Sequence, residues 1–364
     1  MRKFLALLLL LPTVLLANVR LSDQTRVSVL TCGSGNQLYS LFGHTAIRIN
    51  DPQLGLDVVY NYGAFDFSAP NFVARFTKGN LQYFVATDTF NGFLNQYQYE
   101  GRRVVEQELF ITTNQKQRLF DELSRVLNSD ERFYTYKFID RNCTNMAMAV
   151  INKILGETAL KKTGDTAITY REILYPYFNR HFFEQWGTSL IFGTKVDENA
   201  TTLFLPSELE KSLETATYQG KRLSQKSELI LPGNNEMPSV SWGSWAVYLL
   251  LMGAISIANK KWLTISYFSI IGLIGVFFCV AGWYSLHAEL AYNYNVLLCN
   301  PLLLGVVWAL YKNSNWLKTM TWICIGMLAV YLPIVAFKTH FLIVLPMMAA
   351  HGYLLGRIAV RKTS

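Results

Sequence analysis

Between residues 18 and 240 the sequence holds two cysteines, Cys32 and Cys143, and two histidines, His44 and His181. This stretch lacks an H-E-x-x-H pair, a C-x-x-C pair, a phosphate-cradling G-x-x-x-x-G-K-[ST] loop, a G-x-S-x-G elbow and a G-x-G-x-x-G turn, so metal and nucleotide chemistry have little to stand on. What remains is a thiol and an imidazole. Cys143 follows the polar triplet Asp140-Arg141-Asn142 and opens the run CTNMAMAVINKIL, whose spacing predicts a helix starting at about Cys143. A cysteine there has its thiolate stabilised by the helix dipole and by free backbone N–H groups, which lowers its pKa and sharpens it as a nucleophile. His44 opens the predicted strand HTAIRIND and suits the general base. Asn61, on the following strand, is placed to orient the imidazole, with Tyr62 and Ser40 as competitors and Asn142 beside the thiol as a supporting group. Two bland alternatives stand beside this reading. Cys32 and Cys143 are also compatible with a structural disulfide in an oxidising compartment, and His44 with a satisfied structural histidine.

The surrounding pattern is β-rich at first. VSVLTCG reads as a strand, GSGNQLYSLFG as a turn with a short helical stretch, and HTAIRIND and DVVYNYG as a hairpin around the turn DPQLG. Residues 68–100 are crowded with aromatics, which suit a core or, for a fraction of them, a lipid-facing surface. RVVEQELFI is a further strand, and TNQKQRLFDELSRVLNS an amphipathic helix with Thr113 as its expected N-cap. TYREILYPYFN and FLPSELEKSLETA read as helical, and a Pro/Ser/Gly-rich linker covers 232–242.

Net charge is +8, yet this is no nucleic-acid footprint. Residues 241–364 carry eight Lys or Arg against the single acid Glu289, and residues 1–17 carry Arg2 and Lys3, leaving about −1 for residues 18–240. Residues 1–17 (MRKFLALLLLLPTVLLA) have the basic, apolar and small-residue order of an export signal. After residue 240, five apolar stretches near 243–258, 263–284, 296–311, 319–337 and 341–357 approach the length of a bilayer crossing. Lys260, Lys261, Lys312, Lys318, Arg357, Arg361 and Lys362 fall on one side of these spans and only Lys338 on the other. By the positive-inside rule the C-terminus is cytoplasmic and residues 18–231 form a periplasmic domain, with a multi-pass anchor in the inner membrane. The outer loop SLHAELAYNYN is polar for its depth, which nominates His287 and Asn295 as low-ranking candidates; a solvated loop ahead of a Pro-kinked helix accounts for them equally.

LTCGSGNQLYSLFGHTAIRI, DVVYNYGAFDF and DRNCTNMAMAVI, followed by five spans, resemble the Bacteroides-type lipoprotein N-acyltransferase family, Lnb. The resemblance implies transfer of an acyl chain from a membrane phospholipid to the α-amine of a diacylglyceryl-cysteine lipoprotein, without a cofactor. The order of a strand-borne His before an Asn-Cys at a helix start is also similar to permuted papain-like enzymes of the lecithin:retinol acyltransferase type. There His44 and Cys143 match the base and nucleophile, and Asn61 falls near the third polar position, commonly His in that fold. The expected architecture is thus an α+β permuted papain-like exported domain, residues 18–231, followed by an all-α bundle of five transmembrane helices, residues 243–364. The alternatives are a membrane-tethered thiol amidase or peptidase using the same dyad, and a non-enzymatic envelope scaffold. A reporter fused after Ser364 should be active only in its cytoplasm-dependent form; activity only outside the cytoplasm would reverse the orientation.

Overall fold

The computed structural model describes residues 19–234 and 242–360. The expected export signal, most of the expected linker, and Arg361 and Lys362 lie outside the described residues.

The N-terminal region is a mixed α/β unit. Strands β1 (Arg26–Cys32), β2 (His44–Asp51) and β3 (Leu56–Ala64) form an antiparallel meander, with the turn at 52–55 closing the hairpin that the sequence suggests. After them come α1 (Phe72–Lys78), β4 (Gln82–Thr89), α2 (Phe90–Tyr99), β5 (Val104–Glu108), α3 (Thr113–Leu127), β6 (Phe133–Thr135) and α4 (Cys143–Leu155). Helices α5 (Tyr170–Leu174), α6 (Phe182–Ile191) and α7 (Pro206–Thr215), the small hairpin β7 (Thr217–Tyr218) and β8 (Lys221–Arg222), and β9 (Glu228–Leu231) complete the unit. Seven strands pair in the order β6-β4-β3-β2-β1-β5-β9, each with its neighbour antiparallel.

Strand alternation gives the sheet two buried faces. Val27, Val29, Ile47, Ile49, Tyr60 and Tyr62 pack with Leu119 and Leu123 of α3 and with Ala147, Ile151 and Ile154 of α4. On the opposite side Leu30, Cys32, Ala46 and Val59 pack with Phe93 and Tyr97 of α2. Helix α3 is capped by Thr112, not by Thr113 as the sequence suggests. The reason is reciprocity: the Thr112 hydroxyl accepts from the Gln115 amide while the Gln115 side chain accepts from the Thr112 amide. A cap at Thr113 would put Lys116 at the returning position, where no acceptor exists.

The C-terminal part is helical: α8 (Trp242–Ile257), α9 (Lys261–Tyr284), α10 (Leu302–Lys312), α11 (Leu317–Val335) and α12 (Phe341–Ala359). Four segments, Lys261–Tyr284, Ala288–Lys312, Leu317–Val335 and Phe341–Ala359, are long and apolar enough to cross a membrane, and α8, at 16 residues, is a shorter apolar helix. The second of the four is discontinuous. It holds two 3-10 turns, Ala288–Leu290 and Tyr294–Leu297, before α10 begins after Asn300-Pro301. Irregular backbone at such depth is tolerable only where protein satisfies its polar groups. Here the Gly193 amide donates to the Glu289 carbonyl and the Asn293 side chain accepts from the Asn295 amide, while the buried Asn295 side chain ties the stretch to its neighbours, donating to the Ser189 and Phe192 carbonyls at the end of α6 and accepting from the Tyr331 hydroxyl of α11.

Asp197 anchors the junction between the two parts. Its carboxylate accepts from Arg171 at 2.6 Å, from Lys338 at 2.9 Å and from the Tyr294 hydroxyl at 2.7 Å. Burial alone would raise its pKa; the charge and hydrogen bond of Arg171, with Lys338 and Tyr294 assisting, reverse this and hold the carboxyl below its ordinary value. A carboxyl whose pKa is depressed by folding stabilises the fold above its unfolded-state value, and that stabilisation is lost as pH falls through the folded-state value. Asp197→Ala, which strands Arg171, should therefore destabilise the protein by about 3–5 kcal/mol at neutral pH. Melting curves of the two proteins should converge as the medium is acidified below about pH 4.

Candidate active site

The residues before Cys143 are folded so that the thiol sits on the first residue of a helix. Lys137 and Arg141 exchange backbone hydrogen bonds at 3.1 and 3.0 Å, closing a tight turn after β6. Asn142 caps α4. Its side-chain oxygen accepts from the Thr144 and Asn145 amides at 2.9 and 3.0 Å, and its amide nitrogen donates to the Phe138 and Phe204 carbonyls at 2.8 Å. Asn145 returns a bond to the Asn142 amide at 3.0 Å and donates to the Leu203 carbonyl at 2.9 Å. Both asparagines are buried, and together they fix the first turn of α4 in position and direction.

His44 is the first residue of β2 and Asn61 lies on β3, where it pairs with Ala46, two residues along from His44. The two side chains are diagonal neighbours, and the His44 Nε2–Asn61 Oδ1 distance is 3.1 Å. An amide oxygen only accepts, so Nε2 carries the proton and Nδ1 is left as the basic nitrogen. The imidazole charge also acts on the Cys143 thiol. Burial pushes the half-buried Cys143 thiol up, but the charge and hydrogen bond of His44, the Thr45 amide and the Thr144 hydroxyl outweigh it and hold the thiol below its ordinary value. Thr144 is itself held by Thr45, Oγ1 to Oγ1 at 3.1 Å, which ties the start of α4 to the start of β2.

Cys32 contrasts with Cys143. It is a free thiol, buried to 1% exposure, and burial pushes it up to about 12 despite a hydrogen bond to Tyr97. Cys143 is likewise free, so no disulfide joins the two. Among the described residues Ser40 and Tyr62 make no hydrogen bond to His44. The Ser40 hydroxyl donates to the Gln37 carbonyl, and Tyr62 is buried on the α4 side of the sheet against Tyr134. His287 and Asn295 lie at the junction with the helical part: the His287 ring donates from Nε2 to the Phe76 carbonyl, and Asn295 braces α6. His181 faces Glu184 at 3.7 Å on the wall of a separate cavity of about 820 Å³ beside the loop 33–43. That cavity touches none of Cys143, His44 and Asn61.

Three further groups surround the thiol that residue types alone do not nominate. Gly63 sits in a bulge between Asn61 and Ala64 with φ +94°, and a Cβ built on it would lie 3.9 Å from the Cys143 Cβ, the Tyr134 hydroxyl and the Tyr136 ring. The absent side chain leaves room beside the sulfur. Tyr134 is buried, its hydroxyl makes no hydrogen bond among the described residues, and Arg141 lies over its ring at 5.2 Å. Burial, and then the nearby Cys143 charge, hold the phenols of Tyr134 and Tyr136 well above their ordinary value, so both stay protonated as possible donors. The alternation Phe133-Tyr134-Thr135-Tyr136 ahead of Asp140-Arg141-Asn142-Cys143 was the available signal, and it reads equally well as core.

Alkylation by iodoacetamide should distinguish the two exported thiols. Cys143 should react with an apparent pKa below the ordinary thiol value, rising in His44→Ala, while Cys32 stays unmodified until the protein unfolds. Equal labelling of Cys32 and Cys143 in the folded protein would contradict this geometry.

Residues 13–175 match the family described as the Lnb N-terminal periplasmic domain. No curated protein and no solved structure matches the chain.

Proposed function

We propose, from the premise that this chain is of the Lnb type across its N-terminal domain, that it is a lipoprotein N-acyltransferase working through a thioacyl-cysteine. The observation that carries the reading is the set Cys143, His44 and Asn61: a thiol on the first residue of a helix, an imidazole whose charge lowers the pKa of that thiol, and an amide oxygen 3.1 Å from the imidazole Nε2. A multi-pass membrane protein with a periplasmic domain keeps such a thiol beside lipid substrates. In this proposal residues 18–231 form the papain-like catalytic domain, five apolar helices anchor it in the inner membrane, and the C-terminus is cytoplasmic.

In the first half-reaction the Cys143 thiolate attacks an ester carbonyl of a phospholipid. A C–S bond forms, the ester C–O bond breaks, and the departing alkoxide takes the proton that His44 received from the thiol, leaving as lysophospholipid. In the second, the free α-amine of a diacylglyceryl-cysteine lipoprotein attacks the thioester. A C–N bond forms, the C–S bond breaks, and His44 takes the amine proton, regenerating the acid needed at the thiolate. Both tetrahedral intermediates carry an oxyanion. The backbone N–H groups of the first turn of α4 are candidate donors to it, and the otherwise unpartnered Tyr134 hydroxyl is another. A thioester suits the second step because an amine displaces a thiolate more readily than an alkoxide. Neither half-reaction needs a cofactor.

Purified protein incubated with phospholipid and no amine acceptor should gain one acyl mass on the peptide containing Cys143, removable by neutral hydroxylamine, with lysophospholipid released. Cys143→Ser and His44→Ala should abolish lipoprotein N-acylation while the proteins remain folded. Asn61→Ala should lose less than His44→Ala, Tyr134→Phe should lose about 10-fold to 100-fold in turnover, and Cys32→Ser and His181→Ala should remain largely active. An adduct on Cys32, or near-normal transfer by Cys143→Ser, would rule out the mechanism.

A further inference from the structure

The short helix α1 is fastened to the outer end of a candidate membrane span. Tyr284 closes α9, and the next three residues all bond to α1: the Ser285 hydroxyl donates to the Thr77 carbonyl, the Leu286 amide to the Lys78 carbonyl, and His287 Nε2 to the Phe76 carbonyl, each at 2.8 Å. Lys78 lies over the Tyr284 ring at 4.7 Å. The joint is close-fitting. A Cβ on Gly79, whose φ is +75°, would come within 3.0 Å of the His287 ring. A helix held this way to the last turn of a span lies at the depth of the membrane–water interface.

At that depth the protein exposes large apolar side chains that a water-facing surface would not gather. Val73 is 74% exposed, Phe67 65% and Tyr39 63%, with Leu38 and Phe76 about half exposed. The rings are contiguous: Tyr39–Phe67, Phe67–Phe72 and Phe72–Phe76 centroids lie 6.0, 5.2 and 6.3 Å apart. Trp283 and Tyr284, exposed at the end of α9, continue the aromatic belt, and Arg75 and Lys78 in the last turn of α1 supply positive charge for lipid phosphate. The row also leads inward. Phe65, 4.8 Å from Phe67, touches Tyr83 at 5.2 Å; Tyr83 stacks on Tyr136 at 4.5 Å; and Tyr136 borders the space at Gly63 beside Cys143.

The geometry points to this face as a lipid-docking platform. Tyr39, Phe67, Phe72, Val73 and Phe76 seat in the outer leaflet of the membrane that α9 crosses, take up phospholipid acyl chains, and lead them along Phe65, Tyr83 and Tyr136 to the Cys143 thiol. The docking half stands on the attachment to α9; the delivery half rests on the acyl-transfer reading above.

The full-length protein, reconstituted in phosphatidylethanolamine–phosphatidylglycerol vesicles, should carry the photo-crosslinker benzoylphenylalanine in place of Phe67, Val73 or, as a reference on α3, the exposed Arg118. Irradiation should give adducts of one phospholipid mass at 67 and 73, about fivefold or more above the yield at 118. A yield at 67 and 73 no higher than at 118 would overturn the docking half whatever the activity proves to be. For delivery, the double variant Phe67→Ser, Val73→Asp should lose about tenfold in thioacyl formation from vesicle phospholipid and less than about twofold from a water-soluble short-chain thioester. Equal losses with both donors would overturn delivery, because the face would then serve the fold or the thiol itself. Failure of the unmodified protein to form a thioacyl adduct from either donor would sink both the acyl-transfer reading and the delivery half that rests on it, while the cross-linking arm would still decide docking.

Discussion

The structure turns on one side chain that does no chemistry. Asn142 makes four hydrogen bonds from a buried position, two to the first amides of α4 and two to the carbonyls of Phe138 and Phe204. A helix start leaves amides without intrahelical partners, and burying them unpaired would cost about 1–3 kcal/mol each. By satisfying two of them while gripping segments on either side, Asn142 makes the start of α4 a fixed point to which the loop before it and the segment before α7 are both tied. The thiol next in sequence inherits that position. Its direction follows from helix geometry, and its lowered pKa in part from the strand that the helix packs against: the Thr45–Thr144 contact brings the beginning of β2, and with it His44, to the beginning of α4.

A second constraint is the way the sheet is finished. β2 and β3 are regular where they build core, with Ile47, Ile49, Tyr60 and Val59 dividing between the two faces. Regularity stops at Asn61, where the bulge to Ala64 introduces a glycine in the left-handed region. A bulge is where a strand re-aims its side chains. Here it comes immediately after the residue bonded to His44 and opens space beside Cys143. His44, Asn61 and Cys143 therefore sit where the ladder ends, held by strand register on one side and by a helix cap on the other.

Much of this was legible in the residues, and the rest was not for identifiable reasons. The hairpin 44–64, the helix beginning at Cys143 and the apolar C-terminal helices follow from period, turn chemistry and length, which are local properties. The His44–Asn61 contact was accessible because register in a hairpin is fixed by its turn. The Thr112 cap was misjudged by one residue because two adjacent threonines differ only in what lies three positions on. Tyr134 and Tyr136 were hidden by ambiguity of type: a tyrosine in or beside a strand is ordinarily core, and only three-dimensional placement reveals that the Tyr134 hydroxyl is buried with no partner among the described residues. The aromatics of 68–100 posed the same problem. Phe93 and Tyr97 are core while Phe76 and Tyr99 are exposed, and nothing in their spacing separates them.

The contacts between the two parts of the chain bear on why a thiol site and a membrane anchor belong to one protein. The segment just before Cys143 is bonded directly to the outer loop after α9. Lys137 donates to the Leu286 carbonyl, and the Ile139 amide donates to the buried Glu289 carboxylate, whose own backbone carbonyl accepts from Gly193. Glu289 is the one acid after residue 240. A carboxylate taken out of water needs donors, and a backbone amide adjacent to the active turn supplies one. Removing it would leave the Ile139 amide unsatisfied three residues before the cap that positions the thiol. The loop after α9 and the turn 137–141 are thus joined directly by hydrogen bonds. Among the described residues the N-terminal unit is bonded to the ends of the candidate spans at α1, at the 137–139 segment and at Asp197, so the position of Cys143 relative to those helices is set by these contacts.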